Sequence, residues 1–200
     1  ISGRVLPSTL EEVTLVAQVA VPAGESTVLE RVAGESAIPQ KGGAVQQVFL
    51  DPPDVRAYPP AVQAILQADL VVLGPGSLYT SILPNLLVQD LAQALRSTRA
   101  PVIYICNLAT QPGETDNYDV VAHVEALDRH CPGCIDLVLA NNNLDIPPET
   151  GGGNTVYVDP NWPPSRPKNC RLVAVDLVDE TRPWRHDSDK LAEAILNRLA

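Results

Sequence analysis

The chain has 200 residues with 24 Asp and Glu against 14 Lys and Arg, a formal net charge of -10, and 45% hydrophobic types. That apolar content supports one sizeable core at a length usual for a single domain, while the acidic balance opposes a duplex-binding surface, which needs a basic face to neutralise phosphates, so nucleic acid is excluded as the expected partner. No run approaches the roughly 18 apolar residues of a membrane span, and no basic-then-apolar leader opens the chain.

The sequence begins at Ile1 and contains no Met, and it is read as a fragment of a longer protein. Residues 1–58 hold Pro, Gly and β-branched residues without sustained helical periodicity, an irregular β-rich lobe with its best strands at Val13 to Val19 and Val45 to Leu50. Asp51-Pro52-Pro53 ends the second. Pro60 to Gln67 predicts a short helix, and Asp69 to Leu73 is a continuous apolar run of the kind buried on both faces of a parallel sheet. Leu83 to Leu95 predicts one helix starting near Pro84, with Leu86, Leu87, Leu91, Ala94 and Leu95 as its apolar stripe. Pro101 to Cys106 is the next buried strand, Tyr118 to His130 a helix, and Asp136 to Ala140 another strand. Asn141 to Asn154 is loop-like. Arg171 to Leu177 is a further strand, and Leu191 to Leu199 a closing helix with Asp187 or Ser188 as its N-cap. The alternation of strand and helix over residues 59–200 predicts an α/β, Rossmann-like three-layer fold with a mainly parallel sheet, all in one domain.

Ligands of such sheets bind outside the carboxyl ends of the strands. Two loops fall there. The first, Gly74-Pro75-Gly76-Ser77-Leu78-Tyr79-Thr80-Ser81, has glycines that let a ligand approach the backbone, and Ser77, Thr80 and Ser81 add hydroxyl donors. A plain strand-to-helix turn would need much the same residues. The second, Thr110-Gln111-Pro112-Gly113-Glu114-Thr115-Asp116-Asn117-Tyr118, should lie beside it if their strands are neighbours. Thr115 or Asp116 is placed to cap the following helix, and Glu114 with Asp116 could hold Mg²⁺ on a diphosphate.

The stretch from Ala68 through Leu87, followed by Cys106-Asn107 and then Thr110 to Asp116, closely resembles the CofD-like superfamily, and within it the YvcK branch of gluconeogenesis factors. Gly34-Glu35-Ser36 with Ile38, and Arg185-His186-Asp187, are shorter matches on either side. The resemblance implies a cytoplasmic CofD/YvcK-like domain that binds a phosphorylated small molecule, a nucleotide-sugar such as a UDP-sugar, and regulates central carbon metabolism and cell shape without catalysis. CofD enzymes, by contrast, transfer 2-phospho-lactate from a guanylated donor to a deazaflavin acceptor with magnesium, and this transferase activity is the alternative. The implied ligand- and phosphate-binding residues are Gly74, Pro75, Gly76, Ser77, Thr80, Ser81, Asn107, Thr110, Thr115, Asp116 and Arg185. No catalytic set and no metal ligands are assigned, and Mg²⁺ enters only as the companion of a nucleotide diphosphate. The family's Gly-Gly-Gly-Thr-Gly nucleotide loop has no match in residues 1–60, so that part of the site is expected to be missing; Gly151-Gly152-Gly153-Asn154-Thr155 opens no helix and is read as a linker.

Other residues have rival readings. Arg185 and His186 could bring cationic donors to a phosphate. His123, one turn after Asp119, could pair with it, and Tyr79 and Tyr118 could stack on a base or sugar. Cys131-Pro132-Gly133-Cys134 has the two-residue gap of zinc sites and redox pairs, but a zinc site wants a second such pair; Cys106 and Cys170 are read as free thiols. The apolar N-terminal strands could also pair with another subunit, as in a homodimer.

Overall fold

A computed structural model of the chain describes residues 3–24, 26–145, 156–162 and 170–197. The parallel sheet is built from β4 (Val71–Leu73), β5 (Val102–Ile105), β6 (Leu137–Asn141) and β7 (Arg171–Val175), in that order, every neighbouring pair parallel. β5 and β6 are buried at every position because they lie in the middle, covered on both faces. Alternation along them divides the core. Tyr104, Val102 and Val138 face the layer that includes α4 (Gln89–Ser97) and α5 (Val120–His130), whereas Ile103, Ile105 and Leu139 face α6 (Ser188–Leu196). The result is the expected three-layer α/β fold.

β4 differs from its expectation. It lies at the edge of the sheet and is half-buried, with Val72 exposed, because nothing among the described strands pairs with its outer side.

The N-terminal region is more regular than its sequence suggests. β1 (Thr14–Ala23), β2 (Ser26–Ala33) and β3 (Ala44–Asp51) form an antiparallel sheet in the order β2-β1-β3, with a register shift at Gln18/Val19. Leu15, Ala17, Val19, Val45, Val48 and Leu50 turn into the main core. β2 had no predicted counterpart, for a physical reason: as an outer strand it is solvated on both faces, so burial imposes no alternation on Ser26 to Ala33. A short helix, α1 (Ala37–Gln40), follows and buries Ile38 completely.

α2 (Pro59–Leu66) starts on proline, as expected. The single helix predicted over Leu83 to Leu95 is instead two, α3 (Leu83–Leu86) and α4, broken at Val88, whose backbone is extended, and a π-helix (Leu78–Ile82) leads into the first. The break lets Leu86, Val88 and Leu91 all bury, which a straight helix cannot achieve on one narrow stripe, since Leu86 and Val88, two residues apart, would point to nearly opposite sides. α5 is capped by Asp119, which accepts from Ala122 N–H at 2.7 Å, and not by Thr115 or Asp116. α6 is capped by Asp187, which accepts from Asp189 and Lys190 N–H. The Gly151 to Thr155 linker and the predicted helix end at Leu199 lie outside the described residues. Among the described residues no helix is long and apolar enough to cross a membrane.

Candidate functional site

β4 and β5 are neighbours, so the two predicted loops meet at the carboxyl end of the sheet. They are bonded to each other: Gln111 Nε2 donates to Ser77 Oγ at 2.7 Å. Gly74 has φ +87°, and a Cβ there would come 3.2 Å from the Ile105 carbonyl oxygen, so the first loop needs glycine to pass this close to β5.

The second loop is held from within. Thr115 Oγ1 accepts from Gln111 N–H at 2.8 Å and Asp116 Oδ2 from Gly113 N–H at 2.7 Å. Glu114 is buried, with Oε2 accepting from Tyr79 N–H at 3.2 Å and Oε1 from the Thr80 hydroxyl at 2.8 Å. Burial raises its pKa, and these donors oppose the rise. The carboxylate therefore ties the second loop to the first turn of the π-helix. Both Glu114 oxygens are committed to protein donors and Asp116 Oδ2 accepts from Gly113 N–H, so the pair leaves only Asp116 Oδ1 uncommitted and does not make a two-carboxylate magnesium site.

A third segment completes the site. Asp179 gathers the turn after β7 by accepting from Thr181 N–H, Arg182 N–H and Arg182 Nε, and its N–H donates to the Arg185 carbonyl at 3.1 Å. Tyr157 donates its hydroxyl proton to the Pro183 carbonyl, and a bridge between Val178 and His186 closes the hairpin. Buried Asn141, at the end of β6, accepts from Leu177 N–H at 3.1 Å, fixing this segment to the sheet.

Between the three segments lies a cleft of about 640 Å³. Pro75, Gly76 and Ser77 form one wall, Asn107 to Pro112 the floor, and Trp184, Arg185, His186, Ser188 and Leu191 the other wall. Among the described residues no carboxylate lines it. Of the predicted ligand residues, Pro75, Gly76, Ser77, Asn107, Thr110 and Arg185 line this cleft. Gly74 and Ser81 face a separate cavity behind the loop, while Thr80 and Thr115 spend their side-chain oxygens, and Asp116 one of its two, on the internal bonds above. Thr110 does both, since its hydroxyl accepts from Val156 N–H at 3.2 Å.

Three expectations change. His186 is not a cation at neutral pH, because burial lowers its pKa; a hydrogen bond to the Cys106 backbone opposes this. Its Nε2 is buried without a partner among the described residues. His123 bonds the Asp119 backbone carbonyl through Nδ1 at 2.8 Å, not the carboxylate, since the carboxylate caps the helix. Tyr79 and Tyr118 are bonded hydroxyl to hydroxyl at 2.8 Å and take no part in the cleft. Sequence reasoning missed Gln111 and Trp184 as lining residues. Gln111 stood inside the recognised loop but has no chemistry that marks it out, and Trp184 depends on a fold-back that no local pattern reports.

All three histidines have pKa values lowered by burial from the usual 6.5. His130 shows why: Nδ1 faces the Ala126 carbonyl at 2.7 Å, so it carries the proton, and Nε2 accepts from Val48 N–H at 3.1 Å. A protonated ring cannot accept that bond. The unfolded chain thus binds protons more readily than the native state, and stability is full above about pH 6.5 and falls as pH drops below it toward the lowered native values. Glu114 acts oppositely: its raised native pKa adds stability at acid pH that is lost as pH rises through that value. Urea midpoints at pH 7.5 and 5.5 are expected to be higher at 7.5, with the difference reduced in His130→Gln.

Comparison with known proteins agrees with this architecture. The model of the family described as 2-phospho-L-lactate transferase CofD matches residues 1–178. The gluconeogenesis factor of Listeria innocua is 37% identical over 202 residues, covering 100% of this chain and 60% of that protein. That of Bacillus subtilis is 44% identical over 151 residues, 74% of this chain and 45% of that protein. A crystal structure of a UPF0052-family protein from Bacillus halodurans superposes with a TM-score of 0.77 at 32% identity, covering 97% of this chain and 61% of that one. The first-matched curated relatives are covered over 43% and 62% of their length, so the chain spans less than two-thirds of them.

Proposed function

The chain belongs to the CofD family, within the branch of gluconeogenesis factors, and from that premise we propose that its cleft binds a nucleotide-sugar, a UDP-sugar, in a regulatory role in central carbon metabolism and cell shape. The observation that carries this reading is the pairing of a positively charged residue with an uncharged hydrogen-bonding surface in a cleft whose lining, among the described residues, holds no carboxylate. Arg185 supplies the fork that matches a phosphate. Gly76 and Ser77 bring backbone close to the same space, and Asn107 adds an amide. His186 leaves its buried Nε2 without a partner among the described residues, and a sugar or ribose hydroxyl is a group that would satisfy it. The volume suits part of a nucleotide-sugar, since small-molecule pockets run about 300–1,000 Å³. A magnesium ion accompanying the diphosphate would take its ligands from phosphate and water.

Among the described lining residues no nucleophile, base and orienter for group transfer are assembled, which is why binding is preferred to the transferase alternative. Titration calorimetry on the full-length protein decides it. UDP-sugars are expected to bind with micromolar or better affinity and to persist without turnover. Absence of UDP-sugar binding would sink the proposal, and product formation from a guanylated donor with a deazaflavin acceptor and Mg²⁺ would establish the alternative.

A further inference from the structure

The Cys131-Pro132-Gly133-Cys134 segment is used by none of the contacts that build the cleft, yet it is specifically arranged. Cys131 is the C-cap residue of α5, and Gly133, at φ +66°, turns the chain so that the two Cα atoms stand 5.8 Å apart and the sulphurs are disulfide-bonded. That separation is usual for a bridge. Cys106 and Cys170, by contrast, are free and buried.

Two observations distinguish this bridge from a structural staple. First, it closes a loop with a sequence separation of only 3, so it removes little chain entropy from the unfolded state; the helix end and the Cys134 N–H to Cys131 carbonyl bond already hold the turn. Second, Arg96, in the last turn of α4, places Nη1 3.8 Å from Cys131 Sγ and 3.9 Å from Cys134 Sγ. A sulphur in a disulfide gains little from a guanidinium, whereas a thiolate gains a counter-charge. The carbonyl end of α5 disfavours negative charge at Cys131, so Arg96 is the group that offsets it. Both cysteines are buried, but the intervening Pro132 and Gly133 are exposed on the surface turn.

We propose that Cys131 and Cys134 form a reversible dithiol–disulfide site, exchanging with an external dithiol, with Arg96 stabilising the thiolate that leaves. A thiolate of the external dithiol attacks one protein sulphur. The S–S bond breaks, its electron pair goes to the other sulphur, and that thiolate is held beside Arg96. The external reagent's second thiolate then attacks its own sulphur in the mixed disulfide and releases the second protein thiolate. Two electrons and two protons pass to the protein, and the external dithiol leaves as a disulfide. Because Arg96 reaches both sulphurs, it serves whichever one departs.

The test is a redox titration of the native full-length protein in dithiothreitol and oxidised dithiothreitol mixtures, with thiols counted by mass-tagging. With samples acid-quenched and unfolded before tagging, Cys106 and Cys170 are expected to carry tags at every ratio, while Cys131 and Cys134 gain theirs together, at one two-electron midpoint. Arg96→Gln is expected to slow reduction at pH 7 by about tenfold, because a poorer leaving thiolate departs more slowly, and Arg96→Lys to restore part of the rate. If the bridge is reduced only under denaturing conditions, or if the pair stays as thiols in the fully oxidising mixture, the site is not reversible and the proposal is overturned. An unchanged rate in a folded Arg96→Gln protein would overturn the role of Arg96; should that variant not fold, Arg96→Lys against wild type supplies the same comparison.

Discussion

Gly113→Ala is expected to destabilise the protein by about 4 kcal/mol, the sum of a left-handed backbone penalty and the cost of overpacking. Gly113 has φ +79°, and a methyl group on it would collide with the carbonyl oxygen of Pro39 and stand 2.8 Å from its carbon. The obstacle is main chain, which cannot rotate aside as a flexible side chain would. Pro39 belongs to α1, beside Ile38, and Gly113 to the second loop of the cleft, so this one contact is where the antiparallel sheet's connecting segment meets the site. Thermal unfolding followed by circular dichroism should show Tm lowered by roughly 10 °C for a chain of this size. Gly42→Ala provides the control. It shares a positive φ, +71°, but its methyl would enter open space, so only the backbone penalty of about 1 kcal/mol applies. Equal losses in the two variants would show that the Pro39 contact is not a constraint.

Arg185→Glu should abolish the nucleotide-sugar affinity proposed for the cleft while leaving stability alone. The side chain is exposed, and the hydrogen bonds of this residue within the turn come from its backbone, through its N–H to the Arg182 carbonyl at 2.8 Å and its own carbonyl to Asp179 N–H. Losing a charge-assisted bond costs about 1.5–3 kcal/mol, and placing a carboxylate opposite a diphosphate adds repulsion, so Kd should rise by roughly 100-fold or more. Arg185→Lys keeps the charge but not the planar fork and should fall between, at about tenfold. Calorimetric Kd values together with Tm check both halves. Unchanged affinity in Arg185→Glu would remove the phosphate from this wall of the cleft.

The sequence was informative where burial is two-sided or a cap is local. β5 and β6 were recognisable because central parallel strands are unbroken apolar runs, and α6 because Asp187 caps it from its own neighbourhood. β2 was not, since a strand solvated on both faces leaves no period to detect. The break at Val88 was also invisible, because the leucines on either side fit a continuous helical stripe until the backbone between them turns extended. At the site, both loops and Arg185 could be located by motif. The division of labour within them could not, since whether a threonine or a carboxylate faces ligand or protein is decided by partners 34 or 35 residues away, as for Glu114 with Thr80 and Tyr79.

The cleft's lining comes from the segments that follow β4 and β5 and from the turn into α6 with Ser188 and Leu191 of that helix, while the largest fully buried side chains, among them Tyr79, Tyr104, Ile103 and Leu139, lie outside it. The overlap is Leu108, which lines the cleft and also belongs to the buried core. Ser77, Asn107, Trp184 and Ser188 lie outside the core clusters, so the lining can be changed at these positions without opening a void in the core. Glu114 is the exception: it touches no part of the cleft's surface, yet it sets the position of the π-helix, and a lineage that changes its ligand must keep this carboxylate or rebuild the turn that depends on it.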